Sequence, residues 1–102
     1  MEKIMTKSTW NQNILTFTFD ERMDSKNSLE AEKIIDQTIN KKSPQKIIFD
    51  LKNVTYVASA FLRICITIVK KMGKDSFLII NTQPQIKKIF EISGLEDFFD
   101  LT

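Results

Sequence analysis

The stretch Lys46-Ile-Ile-Phe-Asp-Leu-Lys-Asn-Val-Thr-Tyr-Val-Ala-Ser-Ala-Phe-Leu-Arg63 carries the strongest indication of how this chain folds. Its apolar run Ile47-Ile-Phe49 predicts a strand that ends at Asp50-Leu51, and a short loop then leads to Ser59 and a helix of about Ala60 to Met72. The first turn of a helix has backbone N–H groups without intrahelical partners and carries the positive end of the helix dipole. Ser59 is therefore predicted to be either an N-cap or a serine that can be phosphorylated.

Strand-like segments lie on both sides of this helix. Upstream, Ile4 to Thr9 and Asn13 to Phe19 alternate loosely in apolar character about the turn-like Trp10-Asn-Gln12, which predicts a hairpin. Lys46 to Leu51 has the composition of a buried run, which favours a central strand covered by helices on both faces. Two more segments follow downstream: the strand Ser76 to Ile80, and Leu95 to Leu101 as a terminal strand or turn.

A first helix is predicted between the hairpin and the central strand. Asn27, with Glu30 in the same predicted first turn, is typical of a capping box and marks the start of this helix. Ser43-Pro44 predicts its end, because a proline does not continue a helix. Its apolar face is formed by Leu29, Ala31, Ile34, Ile35 and Ile39.

The helix after Ser59 is apolar over most of its surface, so most of it is assigned to packing and only its first turn to recognition. Its apolar positions are Phe61, Leu62, Ile64, Cys65, Ile66, Ile68, Val69 and Met72. Gly73 predicts a left-handed C-cap at its end. A third helix is predicted to begin at Pro84 and to end at Gly94-Leu95 in a Schellman-like manner.

The order of these segments, a hairpin followed by strands that alternate with helices, predicts an α/β fold. The sheet is expected to be mixed, with four or five strands, and to be parallel in its later part, where right-handed crossovers join the strands. A chain of 102 residues with 42% hydrophobic content is long enough for one core. We therefore expect a single domain over residues 1–102.

Charge and residue usage exclude several functions. Fifteen basic and thirteen acidic residues are intermixed and give a net charge of +2, so no basic stripe indicates direct nucleic-acid binding. The chain has no histidine and one cysteine, Cys65, which disfavours disulfides, metal sites and histidine-dependent nucleophiles. Two glycines leave no phosphate-cradling loop, so neither a cofactor nor an enzymatic activity is expected. Met1 to Thr6 lacks a signal-peptide core and no run is long enough for a membrane span, which favours the cytoplasm.

The segment from Ile47 to Arg63 resembles a STAS domain, and most closely the bacterial anti-sigma-factor antagonists. That family has a strand ending in Asp-Leu, a Val soon after, and then Asp-Ser-Ser-Gly-Leu or Ser-Ser-Ala-Gly-Leu-Arg. Near its end a phrase such as Phe-Glu-Ile-Thr-Gly-Leu precedes Phe-Asp, and here Phe90-Glu-Ile-Ser-Gly-Leu95 and Phe98-Phe-Asp-Leu101 are similar. The resemblance covers most of the chain and implies a mixed sheet with its helices largely on one side.

Residue by residue, the resemblance implies a phosphorylation site. Ser59 falls on a serine of the family's phosphoacceptor motif, and Leu62-Arg63 falls on its Leu-Arg. Ala60 falls on a Ser/Ala position, Ala58 stands where the family often has Asp or Ser, and Phe61 stands where it usually has Gly. The implied partner-binding surface, with Phe61 expected as its apolar anchor, consists of Thr55, Tyr56, Ala58, Ser59, Ala60, Phe61, Leu62 and Arg63.

The function that the resemblance implies is partner switching in the control of transcription. The module would capture an anti-sigma factor with serine kinase activity and free a sigma factor, until phosphorylation of its own serine releases the partner. The alternative is a non-phosphorylated STAS scaffold or transporter-associated subunit, in which Ser59 is only a helix cap. The departures at Ala58 and Phe61 favour that alternative.

An aspartate at the end of an apolar strand, here Asp50, is also where response-regulator receivers carry their phosphoacceptor. A receiver needs an acidic pair that holds Mg²⁺, and Asp20-Glu21 after the second strand is followed directly by Arg22. The receiver interpretation is therefore disfavoured. Asp50 is predicted instead to organise its loop by accepting backbone N–H bonds near Asn53 or Val54.

Overall fold

The computed structural model describes residues 6–102. The strands are β1 (Lys7–Asn11), β2 (Ile14–Thr18), β3 (Arg22–Met23), β4 (Lys46–Asp50), β5 (Tyr56–Val57), β6 (Phe77–Ile80) and β7 (Asp100–Leu101). The helices are α1 (Ser25–Lys42), α2 (Ser59–Met72) and α3 (Pro84–Ile92), and short 3₁₀ turns occupy Lys74–Ser76 and Glu96–Phe98. No helix within residues 6–102 has both the length and the apolar character that a membrane crossing requires.

The main sheet has five strands in the order β1-β2-β4-β6-β7, with β1 antiparallel to β2 and the other pairs parallel. The predicted α/β fold with a mixed sheet is confirmed. Each crossover moves one strand further in the same direction, and crossovers of this kind are right-handed, so α1, α2 and α3 lie on one face of the sheet. The short strands β3 and β5 pair in parallel as a separate two-stranded sheet.

The core lies between that helix-bearing face and the helices. Its central rows, which run across β2, β4 and β6, are Leu15, Ile47 and Phe77, and then Phe17, Phe49 and Ile79, all of them buried. The alternate positions, among them Thr16, Ile48 and Leu78, point to the opposite face and are only half-buried. The expectation that helices cover both faces of Lys46 to Leu51 is therefore wrong, because Ile48 extends the apolar run without entering the core.

The hairpin turns later than predicted. Trp10 lies within β1, and the turn is made by Gln12 and Asn13, which have φ values of +50° and +67°. Positive φ at both central residues is typical of a type I′ turn, whose twist matches that of the two strands. The first two residues of the strand predicted over Ile4 to Thr9 lie outside the described residues; β1 confirms Lys7 to Thr9, whereas Thr6 lies just before the strand.

The start of α1 differs from the predicted capping box. Asp24 is the N-cap, and its Oδ1 accepts a hydrogen bond of 2.9 Å from the Asn27 backbone N–H. Asn27 is therefore inside the first turn, where its Nδ2 donates to the carbonyl oxygen of Arg22 at 2.7 Å. The end at Ser43-Pro44 is confirmed, since Ser43 adopts a left-handed conformation and its N–H donates to Ile39. Leu29, predicted for the apolar face, is 56% exposed.

Each of the other two helices, α2 and α3, ends near a glycine with a positive φ value. Gly94 has φ +71° and donates to the carbonyl oxygen of Glu91 at 3.0 Å, while Leu95 donates to that of Phe90 at 2.9 Å. These two bonds are the Schellman motif that the sequence predicted for α3. Gly73 ends α2 with φ +87° but ψ 154°, so it has the positive φ expected of glycine without the predicted left-handed helical conformation.

Candidate functional site

The loop that follows β4 is organised by the carboxylate of Asp50. Its Oδ1 accepts the backbone N–H of Lys52 at 3.1 Å and the side-chain Nδ2 of Asn81 at 3.0 Å. The expected loop-organising role is confirmed in kind, but the backbone donor is Lys52 rather than a group near Asn53 or Val54. Asp50 thereby ties the end of β4 to the end of β6, which fixes where the loop toward α2 begins.

The end of the same loop is held by the small sheet of β3 and β5. Thr55 donates its backbone N–H, at 2.8 Å, and its hydroxyl, at 3.3 Å, to the carbonyl oxygen of Glu21. Ala58 donates its N–H to the carbonyl oxygen of Met23 at 2.9 Å. Tyr56 pairs with Arg22 across the sheet, and the guanidinium carbon lies 4.5 Å from the centre of the tyrosine ring. The residues just before α2 are therefore presented on a paired strand rather than on a free loop.

Ser59 is the first residue of α2, not its N-cap. The N-cap is Ala58, which offers no side-chain hydrogen bond and whose carbonyl oxygen accepts the N–H groups of Phe61 and Leu62 at 3.0 and 3.4 Å. Of the two roles that the sequence predicted for Ser59, that of an N-cap is therefore wrong. Its side chain is exposed, and within residues 6–102 its hydroxyl has no hydrogen-bond partner. This hydroxyl is free to react or to contact another protein.

Phe61 is not the exposed anchor that the sequence suggested. The side chain is 0% exposed, and its ring makes an edge contact with Phe19 at 5.1 Å and a tilted one with Phe49 at 6.0 Å. Phe61 thus belongs to the aromatic core, and the neighbouring Leu62 is buried as well. The assignment failed because α2 is apolar on several sides, so its sequence does not show which side faces the solvent.

The remaining residues of the predicted partner surface do come together at the entrance of α2. Thr55, Tyr56, Ser59 and Arg63 are exposed, and Tyr56, at 39% exposure, is the aromatic side chain among them. Ala58 and Ala60 are half-buried beside them. The surface that the structure offers is therefore small and polar at this point, with a tyrosine and an arginine as its two long side chains.

A groove between the N-terminal parts of α1 and α2 extends this surface. We name it the α1/α2 groove; it has a volume of about 170 Å³ and is lined by Ser25, Ser28, Leu29, Glu32, Ala60, Arg63 and Ile64. The residues from α1 were missed at the level of sequence. The available signal was Leu29 itself, which was assigned to the core because its spacing fits the buried face.

The electrostatics of the site are carried by arginine. The chain has two arginines, Arg22 and Arg63, and both belong to this surface. Arg63 makes no ion pair with any residue in 6–102, although Glu32 lines the same groove. Cys65 lies deeper in α2, where burial raises the pKa of its thiol far above the usual value and leaves it unreactive.

The sequence of this chain is similar to those of known proteins. The family model described as STAS domain matches residues 7–102. A putative anti-sigma factor antagonist, BtrV from Bordetella bronchiseptica, is 27% identical over 60 residues, which is 57% of this chain and 52% of that protein. The match thus spans about half the length of that relative.

Two solved structures share the fold. An anti-sigma factor antagonist from Mycobacterium paratuberculosis has a TM-score of 0.83 at 22% identity, covering 96% of this chain and 84% of that one. The Bacillus cell fate determinant SpoIIAA in its phosphorylated form has a TM-score of 0.71 at 13% identity, covering 95% and 90%. At these identities the likeness concerns the fold.

Proposed function

The chain belongs to the STAS domain family, and from that premise we propose that it is an anti-sigma-factor antagonist whose binding is controlled by phosphorylation of Ser59. It would capture an anti-sigma factor with serine kinase activity, free a sigma factor, and lose the partner once modified. The names of BtrV and of the structural neighbours support this role. The role is that of a binding module and substrate, not of an enzyme, and it places the protein in the cytoplasm.

The observation that carries the proposal is the state of the Ser59 hydroxyl. A serine that caps a helix is committed to a backbone N–H, whereas Ser59 is exposed and unbonded at the first position of α2. A phosphate there adds a charge of about −1.5 to −2 beside the free N–H groups and the positive end of the helix dipole. We therefore expect the fold to tolerate the modification.

The partner is expected to respond differently. A phosphate on Ser59 would have to be desolvated in the interface, next to Ala58 and Ala60, and the loss of its hydration is costly unless the partner supplies compensating donors. A switch needs this difference, because the phosphate on Ser59 must be tolerated by the free protein and must weaken the complex with the partner. Ser59→Asp is expected to fold and to bind more weakly, while Ser59→Ala is expected to bind without being modified.

The alternative, a scaffold or transporter-associated STAS subunit, rests on the two departures from the family motif. Phe61 is buried in the core and adds no exposed side chain at this site, so this departure no longer favours the alternative. Ala58 remains as the one observation in favour of the alternative, because it removes a polar side chain next to Ser59.

The test uses each kinase-type anti-sigma factor of the source organism as a purified protein. The wild type is incubated with kinase and ATP, its intact mass is measured, and Ser59→Ala and Ser93→Ala are treated alike. Ser93 is the control because it is also exposed but lies at the end of α3 and does not line the α1/α2 groove. We expect one phosphate on the wild type and on Ser93→Ala, and none on Ser59→Ala. If Ser59→Ala gains as much phosphate as the wild type, or the wild type gains none, the phosphorylation switch is refuted and the scaffold alternative is the better function.

A further inference from the structure

We propose that Arg63 is the residue that holds the phosphate of modified Ser59, and that this contact withdraws Arg63 from the α1/α2 groove. The inference rests on the proposed function, because it concerns the modified form of Ser59. It adds a second element to the switch. Phosphorylation would both place a charge in the interface and remove from it the one arginine that lines the groove.

The two side chains are neighbours on the surface of α2. Ser59 and Arg63 are one helical turn apart, in the i, i+4 relation that brings side chains together, and both are exposed. Side chains on a helix lean toward its N-terminus, so the long arginine side chain extends in the direction of Ser59. An acidic group at i with a basic group at i+4 is also the more favourable orientation of such a pair. A phosphate on Ser59 would therefore have Arg63 within reach.

Arg63 is available for this contact. It has no ion pair in the described part of the chain, and the nearby Glu32 does not provide one. Arg22, the other arginine, already stacks on Tyr56 at 4.5 Å. The planar guanidinium matches phosphate oxygens in a bidentate manner, which a lysine ammonium does not.

The consequence for the groove follows from its size. At about 170 Å³ the α1/α2 groove is smaller than the sites that hold small molecules, and it fits a single side chain of a protein partner. Its walls carry one acidic and one basic residue, Glu32 and Arg63, together with the exposed Leu29. A partner segment with an apolar residue between opposite charges is complementary to this arrangement. Once Arg63 turns toward the phosphate, that complementarity is lost on one wall.

The experiment incorporates phosphoserine directly at position 59, so that it does not depend on a kinase. The second pKa of the phosphate, near 6 for a free phosphoserine, is measured by ³¹P NMR titration in wild type, Arg63→Gln and Arg22→Gln. A nearby cation stabilises the doubly charged phosphate and lowers this pKa, so Arg63→Gln should raise it by about 0.3 unit. Arg22→Gln removes the same charge from the same surface and should leave it almost unchanged. In 1 M salt the difference should shrink.

The inference is overturned if the titration of Arg63→Gln superimposes on that of the wild type, or if Arg22→Gln shifts it equally. Partner affinity gives the second measurement. Phosphorylation should weaken binding by a larger factor in the wild type than in Arg63→Gln, by about threefold or more. If phosphorylation weakens binding by the same factor in both proteins, charge repulsion and desolvation alone explain the effect, and the role of Arg63 is refuted. The proposed function fails separately, if no kinase modifies Ser59 while the NMR shift is present.

Discussion

Replacement of Phe61 by alanine tests the assignment of this residue to the core rather than to the interface. The ring is 0% exposed and contacts Phe19 and Phe49, whose own rings are 4.8 Å apart. Removal of a buried phenylalanine costs about 3–5 kcal/mol, which includes the cavity left beside the two remaining rings. A domain of this size has about 5–15 kcal/mol of stability, so the variant should fold but should lose a large share of it.

The assay is thermal and urea unfolding of Phe61→Ala, with Phe98→Ala as the matched control. Phe98 is 60% exposed and lines an apolar pocket with Ile66 and Leu95, so the same substitution there should cost only about 1 kcal/mol, well below the loss at Phe61. For a domain of about 100 residues the expected loss at Phe61 corresponds to a fall in Tm of about 15–30 °C. The affinity of the folded fraction for the proposed anti-sigma partner should be nearly unchanged. A variant that keeps its Tm and loses its affinity would show that Phe61 is an interface residue and that the packing argument is wrong.

Three further predictions concern the cap, the groove and the thiol. Asp24→Ala should destabilise the protein by about 1 kcal/mol in urea unfolding, because it removes the acceptor for the Asn27 N–H; an unchanged midpoint would argue against this cap. Leu29→Ala should leave stability within about 0.5 kcal/mol but weaken partner binding by about 1–2 kcal/mol in calorimetry, whereas Ile92→Ala, at a residue 76% exposed in α3, should change neither. Cys65 should resist a thiol reagent at pH 8 in the native protein and react on unfolding, because burial raises its pKa; rapid native labelling would contradict its burial.

The parts of the fold that the sequence predicted well are those with a single local candidate. Pro84 and Gly94 have no competitor in their neighbourhood, and both ends of α3 were found. The start of α1 was harder because Asp24, Ser25 and Asn27 are all good N-caps. The choice among them depends on where β3 ends, and β3 exists only because it pairs with β5. That pairing is a tertiary contact, which no local pattern contains.

The candidate site shows the same division. Ser59 and Arg63 were identified through the motif they belong to, and the structure places both on the exposed side of α2. The predicted burial was wrong for both Phe61 and Leu29. Phe61 was expected at the surface and is buried, whereas Leu29 was expected in the core and is exposed. Both sit in helices with more apolar residues than one face accommodates, so their direction is determined by how α1 and α2 pack on the sheet.

The hydrogen bonds between Glu21 and Thr55 join positions 34 residues apart. Contacts of such long range require the closure of a large loop and are slow to form compared with helices and turns. During refolding, Ser59 is therefore not held in its native position until β3 and β5 have paired. A kinase that recognises the presented strand would modify only molecules that have completed this step, so only folded molecules would enter the proposed regulatory cycle.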